Sequence, residues 1–549
     1  MRPPLPTSLY YLSNFLTALD WLVERYDDLL SAEEQQFIGN FHTLPTASQA
    51  LLVRLIMRKG LHFRASKLVY EEIGDSRAAA QPLLALGWIS ASTELPLESL
   101  AALLRKDELL GLSADPARHR SLKKADLLAV LAEQYLEPRT FATWFPTLDD
   151  QLYSLLIDEL CDCLRLMFFG NLHQDWSEFV LAELGIFRYE QVPFSKDSRG
   201  FRHRQDLHGY LHLHRCRERF DAGLSCEEVL AQIGDFASDN PYLQTRHGKL
   251  LFRMAQQLER EQRLEQAVQL YDRCSYVGAR QRRIRVLEKL GRLHEAHALA
   301  QQAASAPEND AEAQLLERSL QRLGRQIGVP APPRRSVGAA GRIDLSLVSL
   351  GQCVELAVRE HLSEPQAPVH YVENTLICSL FGLLCWEAIF APLPGAFFHP
   401  FHSGPVDLLS PTFHSQRREL FDNCLQRLES ATYKDAIRQT YAAKFGIQSP
   451  FVHWAIVSEE LLEQALDCLP AAHLKAWFQR LLRDIKDNRA GMPDLIQFWP
   501  QERRYRMIEV KGPGDRLQDN QRRWLAFCAE HQMPVDVCYV QWQVESTEA

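Results

Sequence analysis

Nothing in the 549-residue sequence pairs one CxxC with another, and its twelve cysteines are scattered, mostly through apolar helical runs such as SLFGLLCW. Neither a zinc knuckle nor a disulfide framework is supported, and unpaired buried thiols fit a reducing cytoplasm. A surplus of positive charge is also lacking. With a formal net charge of −9, a generally basic coat for nucleic acid is excluded, and any DNA-binding cations must gather on one face. The start, MRPPLPTSLYYLSNF, has no charged lead and no long apolar core, so no signal peptide is expected. The most apolar stretch, 376–393, contains Glu387 and ends in prolines; it reads as a buried helix, not a membrane span. What is present is ordinary: 46% hydrophobic and 24% charged residues, in a chain long enough for three or four domains.

The informative stretch is GMPDLIQFWPQERRYRMIEVKGPGDRLQDNQRRW, 491–524. Asp494 follows a proline, and Glu509 and Lys511 come fifteen and seventeen residues later. Between them, the strand-like runs LIQFW and RYRMIEVK flank a polar, turn-prone PQERR. Strand side chains repeat every two residues, so Glu509 and Lys511 share a face and Val510 takes the other. An amphipathic helix over 517–530 and an apolar strand, VDVCYVQW, complete a strand, strand, helix, strand unit. A carboxylate and an ammonium inside a buried strand need partners or a metal, because desolvating either alone is costly. Two carboxylates and an ammonium on a hairpin suit a divalent metal that activates water against a phosphodiester. The chain therefore reads as a metal-dependent nuclease. The bland alternative is a solvated hairpin with an exposed Glu/Lys pair.

Residues from about 8 to 135 read as short amphipathic helices. TASQALLVRLIMRK, SKLVYEEIG and AQPLLALGWIS give a helix–helix–turn pattern ending in a strand, like a winged helix, with Arg54, Arg58 and Lys59 beside an apolar face. LAALLRKDELLGL and RHRSLKKADLLAVLAEQ form two short helices joined by a basic linker and resemble a SAP motif. Arg118, Arg120, Lys123 and Lys124 there lie near a helix N-terminus, where free N–H groups suit phosphates. From about 150 to 325 the pattern is helical throughout. LEREQRLEQAVQLY at 258–271 matches LEKLGRLHEAHALA at 287–300, as in shortened TPR hairpins stacked into a solenoid. Arg282, Arg285, Lys289 and Arg292 recur along one stripe, a candidate for the DNA backbone. His208 and His212 are four apart, but with no third ligand of clear spacing they read as a polar surface helix. VPAPPRRSVGAAGR, 329–342, reads as a linker or exposed loop.

GMPDL, IEVKGPGDRL and the QRRW helix resemble the VRR-NUC branch of the PD-(D/E)XK nucleases. VENTLICSLFGLLCWEAIF and FFGNLHQDWSEFVLAELGIFRYE, 168–190, are similar to the Fanconi-associated nuclease family. The chain is identified as a bacterial member over roughly its whole length. The resemblance implies a multidomain, mainly α fold with a C-terminal α/β nuclease core. Its parts are a winged-helix-like domain over 1–95, a SAP-like motif over 96–145, TPR-like helices over 146–328, the linker, and a nuclease domain over 343–549. The VRR-NUC core is expected at about 437–545.

The resemblance further implies that Asp494, Glu509 and the Val510 carbonyl bind Mg²⁺ or Mn²⁺. Glu373 would complete that site or bridge a second ion. Lys511 would orient and help deprotonate the attacking water, and Gln521 would assist at the water or the phosphate. Without the resemblance, Gln521 is a solvated helix glutamine and Glu373 an ordinary first-turn carboxylate. Eukaryotic relatives carry a basic residue just before that glutamine as part of a 5′-phosphate pocket. Here the position is Asn520, with Arg516, Arg522 and Arg523 the candidates to compensate. The implied activity is that of a structure-selective 5′-flap endonuclease and 5′-to-3′ exonuclease. Its substrate would be branched or flapped double-stranded DNA, in interstrand crosslink repair at the nucleoid. A Holliday-junction resolvase and a non-catalytic TPR scaffold are the competing readings.

Overall fold

The computed structural model describes residues 7–174, 176, 187–330, 340–348 and 351–543. Much of the family-like 168–190 segment and the middle of the 329–342 stretch lie outside them. The chain forms two compact units, one of residues 1–186 with 202–207, the other of 187–201 with 208–549.

In the first unit, β1 (His62–Arg64), β2 (Ile89–Ser90) and β3 (Leu152–Leu155) pair antiparallel in the order β1–β3–β2. The central strand arrives from beyond residue 150, so the SAP-like motif lies in sequence between the strands of this sheet. Buried Arg64 explains this arrangement, since its guanidinium reaches Asp150 at 2.8 Å and Glu108 of the SAP-like part at 2.6 Å. The SAP-like helices keep a small core of their own around Leu109, Leu127, Leu131 and Trp144. Farther on, Phe168 and Trp176 pack against Trp21 and Phe15. Residues 202–207 join through Arg204, which grips buried Glu34 at 2.6 and 2.8 Å. These aromatic contacts lie within the first unit.

The second unit begins with a solenoid of helices Pro241–Arg260, Leu264–Asp272, Ala279–Lys289, Leu293–Ser305 and Asp310–Ile327. Its sequence repeat is also a conformational one. Gln262 (φ 61°) and Gly291 (φ 75°) take the left-handed turn at the same place in the two copies. The nuclease sheet follows: β4 (Gly341–Leu347), β5 (Val369–Tyr371), β6 (Leu495–Trp499), β7 (Arg504–Lys511) and β8 (Val535–Trp542), in the order β4–β8–β7–β6–β5. β6 and β7 make the antiparallel hairpin, with Leu495 opposite Ile508, and β8 runs parallel to β7 after the Asp519–Glu530 helix.

The sequence pattern gives no sign of β4, whose first residues fall in the expected linker. Most of its side chains are exposed or half-exposed, so no apolar alternation marks it. It pairs parallel to β8, and at Gly341 a Cβ would run into Asp536 Oδ1, so any larger residue would force that side chain to move. Elsewhere the sheet is buried on both faces, one against Ala357 and Val358, the other against Trp524 and its neighbours. Such strands read as near-continuous apolar runs. The Leu376–Leu384 helix is buried at every position, and among the described residues no helix is long and apolar enough to cross a membrane. All twelve cysteines are free, and Cys353 alone is exposed. Arg318 and Arg523 tie the last solenoid helix and the Asp519–Glu530 helix together, bonding Asp519 at 2.6 Å and Gln314 at 2.8 Å respectively.

Candidate active site

Alternation along β7 puts Tyr505, Met507, Glu509 and Lys511 on one face. The first two sit in the core with Trp524, so the strand carries Glu509 into the same apolar layer. Glu509 is 0% exposed, and Asp494 and Lys511 are 7% exposed. Continuing the β6–β7 ladder one residue beyond Leu495 and Ile508 sets Asp494 opposite Glu509. Asp494 Oδ2 accepts the Val510 N–H at 2.7 Å, which fixes its carboxylate at the hairpin's end. Lys511 Nζ pairs with Glu509 Oε1 at 2.6 Å, whereas Glu509 Oε2 is buried with no hydrogen-bond partner. The turn before Asp494 is equally constrained. Gly491 takes φ 89°, and a side chain there would strike Asn520, so Asn520 packs on this turn.

The electrostatics follow from burial. Desolvation, then the neighbouring Asp494 charge, pushes the Glu509 carboxyl up to about 7 against the opposing pull of Lys511. Desolvation likewise raises Asp494 to about 6; the Val510 N–H and Lys511 oppose it, while the charges of Glu373 and Glu355 add to it. Burial thus makes both carboxyls harder to ionise than usual, a condition that a nearby cation would relieve. The ligand set fits a hard divalent ion: two carboxylates beside a backbone carbonyl, with Glu509 Oε2 left without a partner.

The structure brings Asp494, Glu509 and Lys511 together. Glu373 stays apart. It is exposed, with Oε2 accepting Tyr371 Oη at 2.5 Å and Oε1 accepting Asn374 Nδ2 at 3.3 Å. Among the described residues no three acidic, histidine or cysteine side chains gather closely enough to hold an ion. Hydrogen bonds from its two neighbours hold Glu373 at the rim. Gln521 spends its side-chain carbonyl on the helix start, accepting the Gln518 N–H at 2.9 Å. Arg516 is exposed just after the GPGD turn.

Among the basic residues, Arg118, Arg120 and Lys123 are exposed, whereas Lys124 turns back to the Leu104 carbonyl at 2.7 Å. The solenoid stripe is largely neutralised. Arg282 and Lys289 both pair with Glu259 at 3.2 and 2.7 Å, and Arg292 with Glu265 and Glu295 at 2.9 and 2.5 Å; Arg285 is exposed and forms no ion pair among the described residues. Arg54 is likewise paired, with Glu72 at 2.5 Å. His208 and His212 lie on the Arg204–Asp221 helix. Sequence reading missed Glu355, Tyr371 and Asn374. Glu355 is in the first turn of the Val354–Leu362 helix, whose chemistry no spacing marks, and Asn374 is set apart only by its φ of 54°.

Comparison with known proteins agrees with this geometry. Residues 428–542 match the VRR-NUC domain, 9–90 the FAN1 HTH domain, and 94–144 the Fanconi anemia-associated nuclease SAP domain. The chain is 58% identical to the Fanconi-associated nuclease 1 homolog of Pseudomonas aeruginosa over 99% of this chain and 98% of that one. The Arabidopsis thaliana homolog is 26% identical over 98% of this chain and 68% of its own. A crystal structure of paFAN1 bound to 2-nt 5′-flap DNA with a gap matches with a TM-score of 0.92 at 58% identity, covering 99% of this chain and 100% of that one. With three domain matches in order and a buried carboxylate pair at the hairpin, the chain belongs to the Fanconi-associated nuclease family, and it is a DNA nuclease of the type that uses divalent metal.

Proposed function

We propose that this nuclease is structure-selective, cutting 5′-flapped and branched duplex DNA and trimming 5′ to 3′, and that it serves interstrand crosslink repair in the bacterial cytoplasm. One observation carries the reading: Glu509 is fully buried beside Asp494, with Lys511 as its one charged partner and Oε2 accepting no hydrogen bond. A carboxylate desolvated in that way is held ready for a cation. Asp494, Glu509 and the Val510 carbonyl are its ligands, and Glu373 extends the set toward one ion or two. Oxygen ligands of this kind suit Mg²⁺ or Mn²⁺. When bound, such a metal supplies activation of water and charge stabilisation for an in-line displacement.

The chain's own residues do the rest. Lys511 orients the attacking water, helps take its proton, and offsets charge on the phosphate. Gln521 offers its amide NH₂ to the phosphate while its carbonyl caps the helix. Arg516, Arg118, Arg120 and Lys123 hold backbone phosphates, so that shape and not sequence is read. Arg285 adds to them from the solenoid. Asn520, occupied against Gly491, supplies no charge for a terminal phosphate, so dependence on one is weak. The relative crystallised with 5′-flap DNA supports the substrate class. The test is incubation with Mn²⁺ on flap, splayed-arm and four-way junction DNAs. Flap cutting abolished by Asp494→Ala is expected. Symmetric junction nicking would make the chain a resolvase, and no cutting at all would make it a scaffold.

A further inference from the structure

Asn374 is a non-glycine residue held at φ 54°, a conformation that persists only where the surroundings impose it. Its side chain works in two directions. Oδ1 accepts the Met492 N–H at 3.0 Å, two residues before Asp494, and Nδ2 donates to Glu373 Oε1 at 3.3 Å. The backbone runs alongside, with the Val372 N–H on the Asp494 carbonyl at 2.9 Å. One amide therefore spans the gap between the turn that carries Asp494 and the carboxylate of Glu373. Tyr371, paired with Leu495 at the end of β5, fixes the other Glu373 oxygen at 2.5 Å. A carboxylate offers about four acceptor sites, so one donor on each oxygen leaves each with a lone pair for an ion.

We infer that Asn374 and Tyr371 are positioning residues that set the reach of Glu373 relative to Asp494, and thereby the metal affinity of the site. The inference rests on the reading of Glu373 as a metal ligand. Neither residue touches the ion or the DNA; Tyr371 acts through Glu373, and Asn374 through Glu373 and the turn that carries Asp494. Partners of this kind typically change metal affinity about 10- to 100-fold when removed.

The experiment is Mn²⁺ titration of the full-length protein by calorimetry without DNA, with the EPR spectrum of bound Mn²⁺ recorded in parallel. Three variants are compared: Glu373→Gln, Tyr371→Phe and Asn374→Gly. Glycine accepts the left-handed backbone, so Asn374→Gly deletes the amide and is expected to melt close to the parent. Expected results are weaker Mn²⁺ binding by about 10-fold or more in each variant. Flap cleavage by Asn374→Gly and Tyr371→Phe is expected to recover as Mn²⁺ is raised, with KM for DNA unchanged. Parent-like Mn²⁺ affinity in those two variants, with Glu373→Gln weakened, overturns the inference and leaves the ligand reading intact. Parent-like affinity in Glu373→Gln overturns the ligand reading and the inference with it. A defect that excess Mn²⁺ does not rescue also overturns the inference, because it marks a folding role.

Discussion

Two buried glutamates in the second unit have opposite fates. Glu259, in the solenoid, is 5% exposed and Glu509, in the nuclease sheet, 0%. Burial pushes the Glu259 carboxyl up, but Lys289, Arg282 and the Tyr271 hydroxyl together outweigh it and hold the group below the ordinary range. At Glu509 burial and Asp494 outweigh the single Lys511. The difference teaches that burial of a carboxylate does not by itself mark a functional site. What marks it is burial that the protein compensates only in part.

The sharpest way to break this contrast is by substitution. Glu509→Gln or Asp494→Asn removes a proposed metal ligand worth several kcal/mol in the transition state, so cleavage should fall about 1,000-fold or more. Glu259→Gln should leave cleavage within a few-fold but strand two cations, costing about 2 kcal/mol of stability. Flap-cleavage rates and thermal midpoints of the variants read both. Loss of cleavage in Glu259→Gln at a temperature where it remains folded would erase the distinction.

The two residues also respond to pH with opposite sign. Glu509 titrates near 7 in the folded protein, against an ordinary value of 4.5. Between those values the folded state keeps a proton that the unfolded chain has released. Stability therefore falls as pH rises through that window, and the loss is complete above about 7. Glu509→Gln should remove about 3 kcal/mol of that pH-dependent loss, with chelator present. Asp494, at about 6, adds a second fall of the same sign. Glu259 contributes the reverse: stability present above the ordinary carboxylate range and lost as pH falls through its depressed value. Urea titrations at pH 5 and 8 in EDTA test this, and a Glu509→Gln profile identical to the parent's would refute it. Adding Mn²⁺ at pH 6.5 should release protons, since ligands bind deprotonated; calorimetry in buffers of different ionisation enthalpy counts them.

The catalytic hairpin was legible because its two runs and their period of two are local, and local periodicity survives in sequence. The solenoid repeat was legible for the same reason. What sequence hid was non-local. β3 completes the winged-helix sheet from about sixty residues past β2, and its partner choice depends on Arg64 finding Asp150 and Glu108. β4 is an edge strand with a polar pattern, fixed only by its register on β8. Asn374 and Glu355 belong to the site through the meeting of distant segments. The solenoid stripe misled in a different way: helical spacing predicted where Arg282, Lys289 and Arg292 lie but not that acids on neighbouring helices and turns already hold them.

That last point yields the smallest expected effect, and it carries the comparison from anions to cations. Arg118, Arg120 and Lys123 are exposed, and no acid pairs with them among the described residues. A phosphate can take them at no cost in broken ion pairs. Each phosphate contact contributes about 0.9 to the slope of log affinity against log salt. Replacing all three by Ala should therefore lower that slope by about 2 to 3, with little change in melting. Replacing Arg282, Lys289 and Arg292 should act the other way round. Glu259 would lose both its cations, so melting falls, while the slope barely moves because those charges are already spent within the fold. Binding of a flap DNA in Ca²⁺, measured by anisotropy between 50 and 200 mM salt, separates the two sets. Equal slope losses would mean that DNA breaks the solenoid's ion pairs to reach the stripe, and that a compensated charge in this protein is not thereby a structural one.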